Sequence, residues 1–357
     1  FDSYKFCGKI EEPVPDRQHL NGLSMSINTS LNAARLLPLE KSYSVPSQTN
    51  EAVVAALKKR FDYKSQCINL EYFKDALKAV TEHCVERARG FDFSVTSWED
   101  LRENANLKST LGFMSDFKGV YKNIGEILRD GTSHLDSYLE TAINSPEDLN
   151  HLFHASPKVE KKEISREATI PRLFTYKTGE VRMCEMAIFQ KLNEFLGKSK
   201  KISFSASGDI FDRVYRLNNK SKQFIKPSFI EIESAKFDGH KEFEWIYKVR
   251  QMMVKILLSG YNGNTAAKYC METLVNDGFG FLILCSGHII QMKRGNQKSG
   301  LWDTSTNNKL TNAAILVKLV SVALNIECYE VFSRVEFEVE GDDAIIISEE
   351  EDGRKIL

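Results

Sequence analysis

At 357 residues the chain is long enough to bury a sizeable core, and 48 basic against 49 acidic side chains leave a net charge of only −1. That balance excludes an overall basic field that would draw in nucleic acid or a membrane surface, so any polyanion site must be a local cluster. Seven scattered cysteines without a CxxC pair argue against a disulfide framework or a zinc site and suit a reducing, cytosolic compartment. The longest apolar run, NAAILVKLVSVALNI (312–326), carries Lys318 and is too short to span a bilayer, and no signal peptide is visible. The chain opens on Phe1 and stops soon after Asp343, so the expectation is a fragment of a longer protein.

Residues 1–48 are punctuated by prolines (EEPVPDRQ, SVPSQTN) and read as irregular. From Asn50, a plausible cap, EAVVAALKKRF has helical spacing. LEYFKDALKAVTEHCVERARG (70–90) predicts an amphipathic helix closed by Gly90, and SWEDLREN opens on a capping box from Ser97 to Asp100. NIGEILRDGTSHLDSYLETAI (123–143) and SPEDLNHLFHA (145–155) continue a helical front half. After Pro157 the texture becomes basic and rich in strand formers (158–183), before CEMAIFQKLNEFLGK returns to helix. SFIEIESAKFDGH (228–240) is strand-like up to a polar break, and KEFEWIYKVRQMMVKILLSG (241–260) is a long helix. FGFLILCSGHIIQMKRG predicts two strands around Ser286-Gly287, and TSTNNKLTNAAILVKLVSVAL predicts a helix with a polar first turn. YEVFSRVEFEVEGDDAIIISEE then gives two alternating strands joined at an aspartate pair. The pattern is α+β, with a helical front half and a mixed back half.

The aspartate pair raises a chemical question. Gly341-Asp342-Asp343 could be a plain surface turn, since tight hairpins prefer those residues. But the strand that follows, Ala344 to Ile347, is continuously apolar and predicts burial on both faces. Two carboxylates at the edge of such a strand repel each other unless a cation neutralises them, and adjacent hard oxygen ligands suit Mg²⁺ or Mn²⁺. Catalytic sites with two such ions draw on further acids. IEIESAKFDGH offers Glu233 and Asp238, where a solvated strand end before a helix would use the same residues.

Three stretches in this order resemble the palm of a viral RNA-dependent RNA polymerase of the positive-strand type, with a noda-, tombus- or astro-like texture. The family's first motif is an acid, four residues, then Asp, here Glu233 and Asp238 in ESAKFDGH. Its second is matched by Ser299, Gly300, Thr304 and Asn308 in SGLWDTSTNN, and its third is Gly341 to Asp343. Upstream, KKEISREATIPRLF is similar to the family's basic finger motif, and LKSTLGF (107–113) is similar to a finger loop but lacks its usual proline.

The resemblance implies a right-hand polymerase fold: helical fingers over residues 1–225, with the basic motif near 158–182. A palm follows over 226–357, an antiparallel sheet flanked by helices with a fingers-like insertion near 256–290. The thumb would lie beyond residue 357. It implies template-directed RNA synthesis with two Mg²⁺ or Mn²⁺ ions held by Glu233, Asp342 and Asp343. Lys162 and Arg172 would lie over the incoming triphosphate, with Lys161, Arg166 and Lys177 as helpers. Asp238, Ser299 and Asn308 would read the ribose 2′-hydroxyl, with Thr304 supporting them from the start of its helix and Gly300 in the same nucleotide-binding motif. The implied partners are RNA template and nascent strand, nucleoside triphosphates and other viral replication proteins. The implied location is the host cytoplasm, at membrane-associated complexes through parts not in this sequence.

One departure stands out. The family's first motif begins with aspartate, and Glu233 reaches one methylene farther, so Mg²⁺ geometry is strained and Mn²⁺ or slow catalysis is expected. The family's lysine general acid lies beyond the third motif, and Lys355 is too close to serve. The competing readings are a reverse transcriptase, against which Gly341, Asp238 and Asn308 speak, and a catalytically impaired RNA-binding relative.

Overall fold

The structure, a computed structural model, describes residues 4–9, 43–44, 50–61, 69–104, 107–109, 111–112, 115–157, 162–163, 171–198, 204, 210–233, 241–284, 287–292, 295 and 297–357. Its elements in chain order are β1 (Tyr4–Lys9), β2 (Tyr43–Ser44), α1 (Asn50–Phe61), α2 (Lys74–Ala88), α3 (Trp98–Asn104), α4 (Ile124–Asp130) and α5 (Thr132–Asn144). Then come β3 (Phe153–Pro157), β4 (Lys162–Glu163), β5 (Leu173–Tyr176), α6 (Gly179–Lys198), α7 (Ile210–Ser221), β6 (Pro227–Glu233) and α8 (Phe243–Ser259). The chain continues through α9 (Asn264–Glu272), α10 (Leu274–Phe279), β7 (Phe281–Ile283), β8 (His288–Met292) and α11 (Thr304–Leu324). It ends with α12 (Val331–Arg334), β9 (Val335–Glu340), β10 (Asp343–Glu349) and α13 (Glu350–Ile356). The fold is α+β.

Period-two alternation in the last stretch builds an antiparallel hairpin, β9 to β10, and β6 adds antiparallel on the other side of β10. Every second row of this three-stranded sheet is apolar: Ile232, Ala344 and Val339, then Ile230, Ile346 and Phe337. That face meets Leu310, Ala313, Ala314 and Val317 of α11 in the main core, which α2, α6 and α8 complete. At about 25 cal/mol per Å² of apolar surface, each buried Leu, Val, Ile or Phe among them contributes roughly 1.5–3 kcal/mol. α2 lies against both α8 and α11 and is terminated by Gly90, whose φ of +80° is the left-handed conformation glycine tolerates.

The five-stranded sheet runs β1-β8-β7-β3-β5 and is antiparallel except between β3 and β7. Val53 and Leu57 of α1 seal it with Phe153, Leu173, Leu282 and Leu301. A third cluster joins Leu101 of α3, Ile127 and Leu128 of α4, Leu135 of α5 and Met183 of α6. The capping box is present: the Ser97 hydroxyl accepts from the Asp100 N–H at 3.2 Å and donates to the Asp100 carboxylate at 2.8 Å.

Two stretches differ from expectation. The 123–143 helix is two, broken at Gly131, where a Cβ would sit 2.7 Å from the Tyr121 ring. Residues 145–155 leave helix after one turn (Pro146–Asp148) and become β3, buried along its whole length between β5 and β7. A central strand buried on both faces loses the alternation that marks a strand in sequence. α7, α9 and α10 were also not anticipated. Among the described residues no helix is long and apolar enough to cross a membrane.

Candidate functional site

The antiparallel register places Asp343 directly opposite Glu233 on one side and Glu340 on the other. Residues paired in this way project to the same face, so three carboxylates form one row across the end of the sheet. Asp342 occupies the adjoining turn, made possible by Gly341 at φ +65°. Glu233, Asp342 and Asp343 are all exposed. The sheet therefore separates an acidic face from the core face, and alternation in the sequence is what achieves it.

Helix α7 supplies counter-charge to part of that face. Arg216 donates to Glu338 at 2.8 and 3.0 Å, Lys220 to Glu338 at 3.0 Å, and Arg213 pairs with Glu340 at 3.4 Å. Burial pushes the Lys309 ammonium down to about 8, although Glu340 and Glu338 pull it the other way. No ion pair among the described residues ends on Glu233, Asp342 or Asp343. α7 thus neutralises the β9 acids Glu338 and Glu340, while Glu233, Asp342 and Asp343 face solvent.

α11 is tied to the same end. The Asn312 amide donates to the Gly341 carbonyl at 3.2 Å, which fixes the helix against the turn. Asn308 lies one helical turn earlier on the same stripe and is 7% exposed. Its side-chain oxygen accepts from Lys241, whose ammonium also donates to Asn307 at 3.0 Å.

The loop before α11 docks on β5. The Ser299 hydroxyl accepts from the Thr175 N–H at 3.1 Å. At Gly300 a Cβ would fall 1.6 Å from the Thr175 carbonyl oxygen, so no side chain fits there. Thr304 is the first residue of α11, and its hydroxyl donates to the Lys298 carbonyl at 2.7 Å. Arg172 is exposed immediately before β5, the strand on which the Ser-Gly loop docks. The backbone of Lys162 pairs with Ser44 in the β2–β4 ribbon. Asp238, Lys161 and Arg166 lie outside the described residues.

Lys177, expected to help hold a triphosphate, is instead sealed in the interior. Its ammonium pairs with Glu185 and Asp277, each at 2.6 Å, with a side chain 0% exposed. Burial favours its neutral form, but the two carboxylates outweigh burial and hold the ammonium above its ordinary range. The same Asp277 pairs with Arg250 at 2.6 Å, and Arg250 pairs with Asp303 at 2.8 Å, immediately before Thr304. Against the cost of burial, Lys177 and Arg250 keep Asp277 well below the usual carboxylate range. This network anchors the start of α11 to β5, α6 and α10. Its acids and bases are far apart in sequence and carry no motif, which is why sequence reading missed Arg250, Asp277, Asp303 and Glu185. The one signal was that Arg250 falls on the apolar stripe of α8, with Ile246, Val249, Met253 and Leu257.

Among the described residues, no three carboxylate, histidine or cysteine side chains stand close enough together, as placed, to hold a metal ion. The donor chemistry still fits a hard divalent cation: Glu233 and Asp343 are register neighbours, Asp342 adjoins them, and all three are exposed and can rotate toward a shared ion. Compared with known proteins, the chain matches no family model and no curated protein.

Proposed function

We propose that this chain is the fingers-and-palm part of a right-hand RNA-directed RNA polymerase. What carries the reading is one juxtaposition. The acid opening the ESAKFDGH stretch and the second aspartate of the Gly-Asp-Asp turn are direct neighbours in a sheet, and the helix bearing Asn308 is bonded to that turn. Three sequence motifs that are far apart in the chain thereby meet at one edge.

In this reading Glu233, Asp342 and Asp343 hold two divalent cations. Those ions supply charge neutralisation for an attacking 3′-hydroxyl and a leaving pyrophosphate. The chain's own residues orient the rest. Arg172, and Lys162 from its ribbon, pair with phosphate oxygens as charge-assisted donors. Asn308 and Ser299, with Asp238, read the sugar hydroxyl. Glu233 makes Mn²⁺ the better supporting ion, since it tolerates a longer ligand arm than Mg²⁺ does.

The test is addition of a single nucleotide to a short self-priming RNA hairpin, with protein in excess and Mg²⁺ or Mn²⁺ supplied. Ribonucleotide addition that is metal-dependent and abolished by Asp342→Asn is the expected result. Deoxyribonucleotide preference would favour a reverse transcriptase instead. No addition with either metal by the folded chain would overturn the polymerase reading.

A further inference from the structure

Helices α2 and α8 run side by side in the same direction. Phe73 meets Trp245 at their starts, with ring centroids 5.7 Å apart. Just past their ends Tyr261 exchanges backbone bonds with Phe91 and Phe93, at 2.8 and 2.9 Å. On the solvent side the pair bounds an open groove of about 880 Å³. One wall is a stripe at intervals of three and four residues from Leu70 to Val85, and the other is a similar stripe from Lys248 to Leu258. At about 1.5 Å per residue these walls are roughly three to four helical turns long.

The floor is apolar. Leu77 and Met252 are buried at its base, and Leu258 is 53% exposed. Thr81 commits its hydroxyl to its own helix, donating to the Leu77 carbonyl at 2.6 Å. Among the described residues, none of those lining the groove has a buried polar side-chain atom without a partner, so no unmet group anchors a small polar ligand. The rim is cationic, with four lysines against two glutamates, in a chain whose net charge is −1. Both glutamates are already answered on the α2 wall, Glu71 by Lys74 at 3.0 Å and Glu82 by Lys78 at 3.9 Å. On the α8 wall Lys248 bonds neutral Gln251 at 3.2 Å, and no ion pair among the described residues ends on Lys248 or Lys255.

We propose that this groove is a docking site for an acidic amphipathic helix of a partner protein. An apolar trough between two helices, edged by lysines, takes apolar side chains at every third and fourth position of a third helix, with acids beside them. Charge complementarity selects the acidic partner, because Lys248 and Lys255 have no acid of their own. RNA fits the groove poorly: no aromatic ring lines it for bases to stack on, and two uncommitted ammonium groups neutralise few phosphates. No acid of the 341–343 hairpin lines the groove, so the inference stands apart from the polymerase reading.

The experiment titrates the full chain into a fluorescein-labelled model peptide of about four helical turns, with leucines at helical spacing and glutamates beside them. Binding is read by fluorescence anisotropy. Saturable binding is expected, weakened about tenfold or more by Lys248→Glu/Lys255→Glu and by Leu258→Asp. All three side chains are exposed, so these variants are expected to keep the wild-type melting temperature. A peptide with lysines in place of the glutamates is expected to prefer the double variant, a swap that general loss of structure would not produce. Absence of saturable binding, or equal binding of a scrambled peptide of the same composition, overturns the inference. So does acidic-peptide affinity within about twofold of wild type in the double variant. A labelled oligouridylate held more tightly than the peptide, and lost in that variant, assigns the groove to RNA instead. Concentration-dependent dimerisation abolished by Leu258→Asp assigns it to a second copy of this chain. Either result overturns the proposed helix site.

Discussion

Asp343 and Glu233 stand directly opposite each other across β10 and β6, and both are exposed at the end of the sheet. Like charges in such a cross-strand pair destabilise a sheet by a few tenths of a kcal/mol, more when a third acid such as Glu340 adjoins. Glu233→Gln is therefore expected to raise the melting temperature of the metal-free protein slightly. Mn²⁺ is expected to raise that of wild type but not that of a Glu233→Gln/Asp342→Asn/Asp343→Asn variant. Thermal unfolding with and without the ion measures both. An equal Mn²⁺ shift in the triple variant would place the ion elsewhere.

Arg250 bridges Asp277 and Asp303 with no part of its side chain exposed. Removing one member of a buried ion network strands the others in a medium that solvates them poorly, at about 3–5 kcal/mol. Arg250→Met should cost that much in urea unfolding. Asp303→Asn added to it should cost far less than the two single changes summed, because the stranded charge is gone. Strict additivity would mean the two residues act independently.

Gly300 admits no Cβ because the Thr175 carbonyl oxygen lies where one would go. Backbone cannot swing aside as a flexible side chain can. Gly300→Ala is expected to lift the Ser299–Asp303 loop from β5, break the bond from the Thr175 N–H to Ser299, and cost roughly 1–3 kcal/mol. Amide exchange at Thr175 should rise in this variant, and unchanged protection there would count against the docking described.

His83 is stacked on Phe332, with ring centroids 4.0 Å apart, and lies near Phe204. Burial, with a smaller push from Arg87, lowers its pKa from 6.5 to about 3. Between those values the unfolded chain binds a proton that the folded chain does not. The stability due to neutral His83 is thus complete above pH 6.5 and is lost progressively as pH falls toward 3. At pH 5 the loss is about 2 kcal/mol. His83→Phe should remove this part of the acid-side slope, so the difference in stability between variant and wild type should grow in the variant's favour from pH 7 to pH 5. A constant difference across that range would show that His83 titrates normally.

Much of the acidic hairpin was legible in the sequence because its signals are local. Alternation from Val335 to Glu340 assigns one face to the core, Gly341 permits the turn, and the apolar run after Asp343 buries the central strand. The same holds for α11, whose start at Thr304 and length follow from composition. β3 was misread because what encloses it is distant in the chain: β5 and β7 flank it in the sheet, and Val53 and Leu57 of α1 join Phe153 and Ala155 in one core cluster. Lys177 was misassigned for a related reason: in sequence a lysine in a basic stretch looks solvated, and its carboxylate partners lie on α6 and α10.

By itself, then, the sequence determined periodicity, turn positions and the residue types able to do chemistry, since each depends on neighbours within a few residues. Tertiary structure alone decided which of those residues meet. The register that pairs Glu233 with Asp343, the lysine that bonds both Asn307 and Asn308 and the carboxylates that bury Lys177 all arise from contacts between distant segments. Charge and hydrogen-bond geometry act through space, and the chain's one-dimensional order does not record those separations.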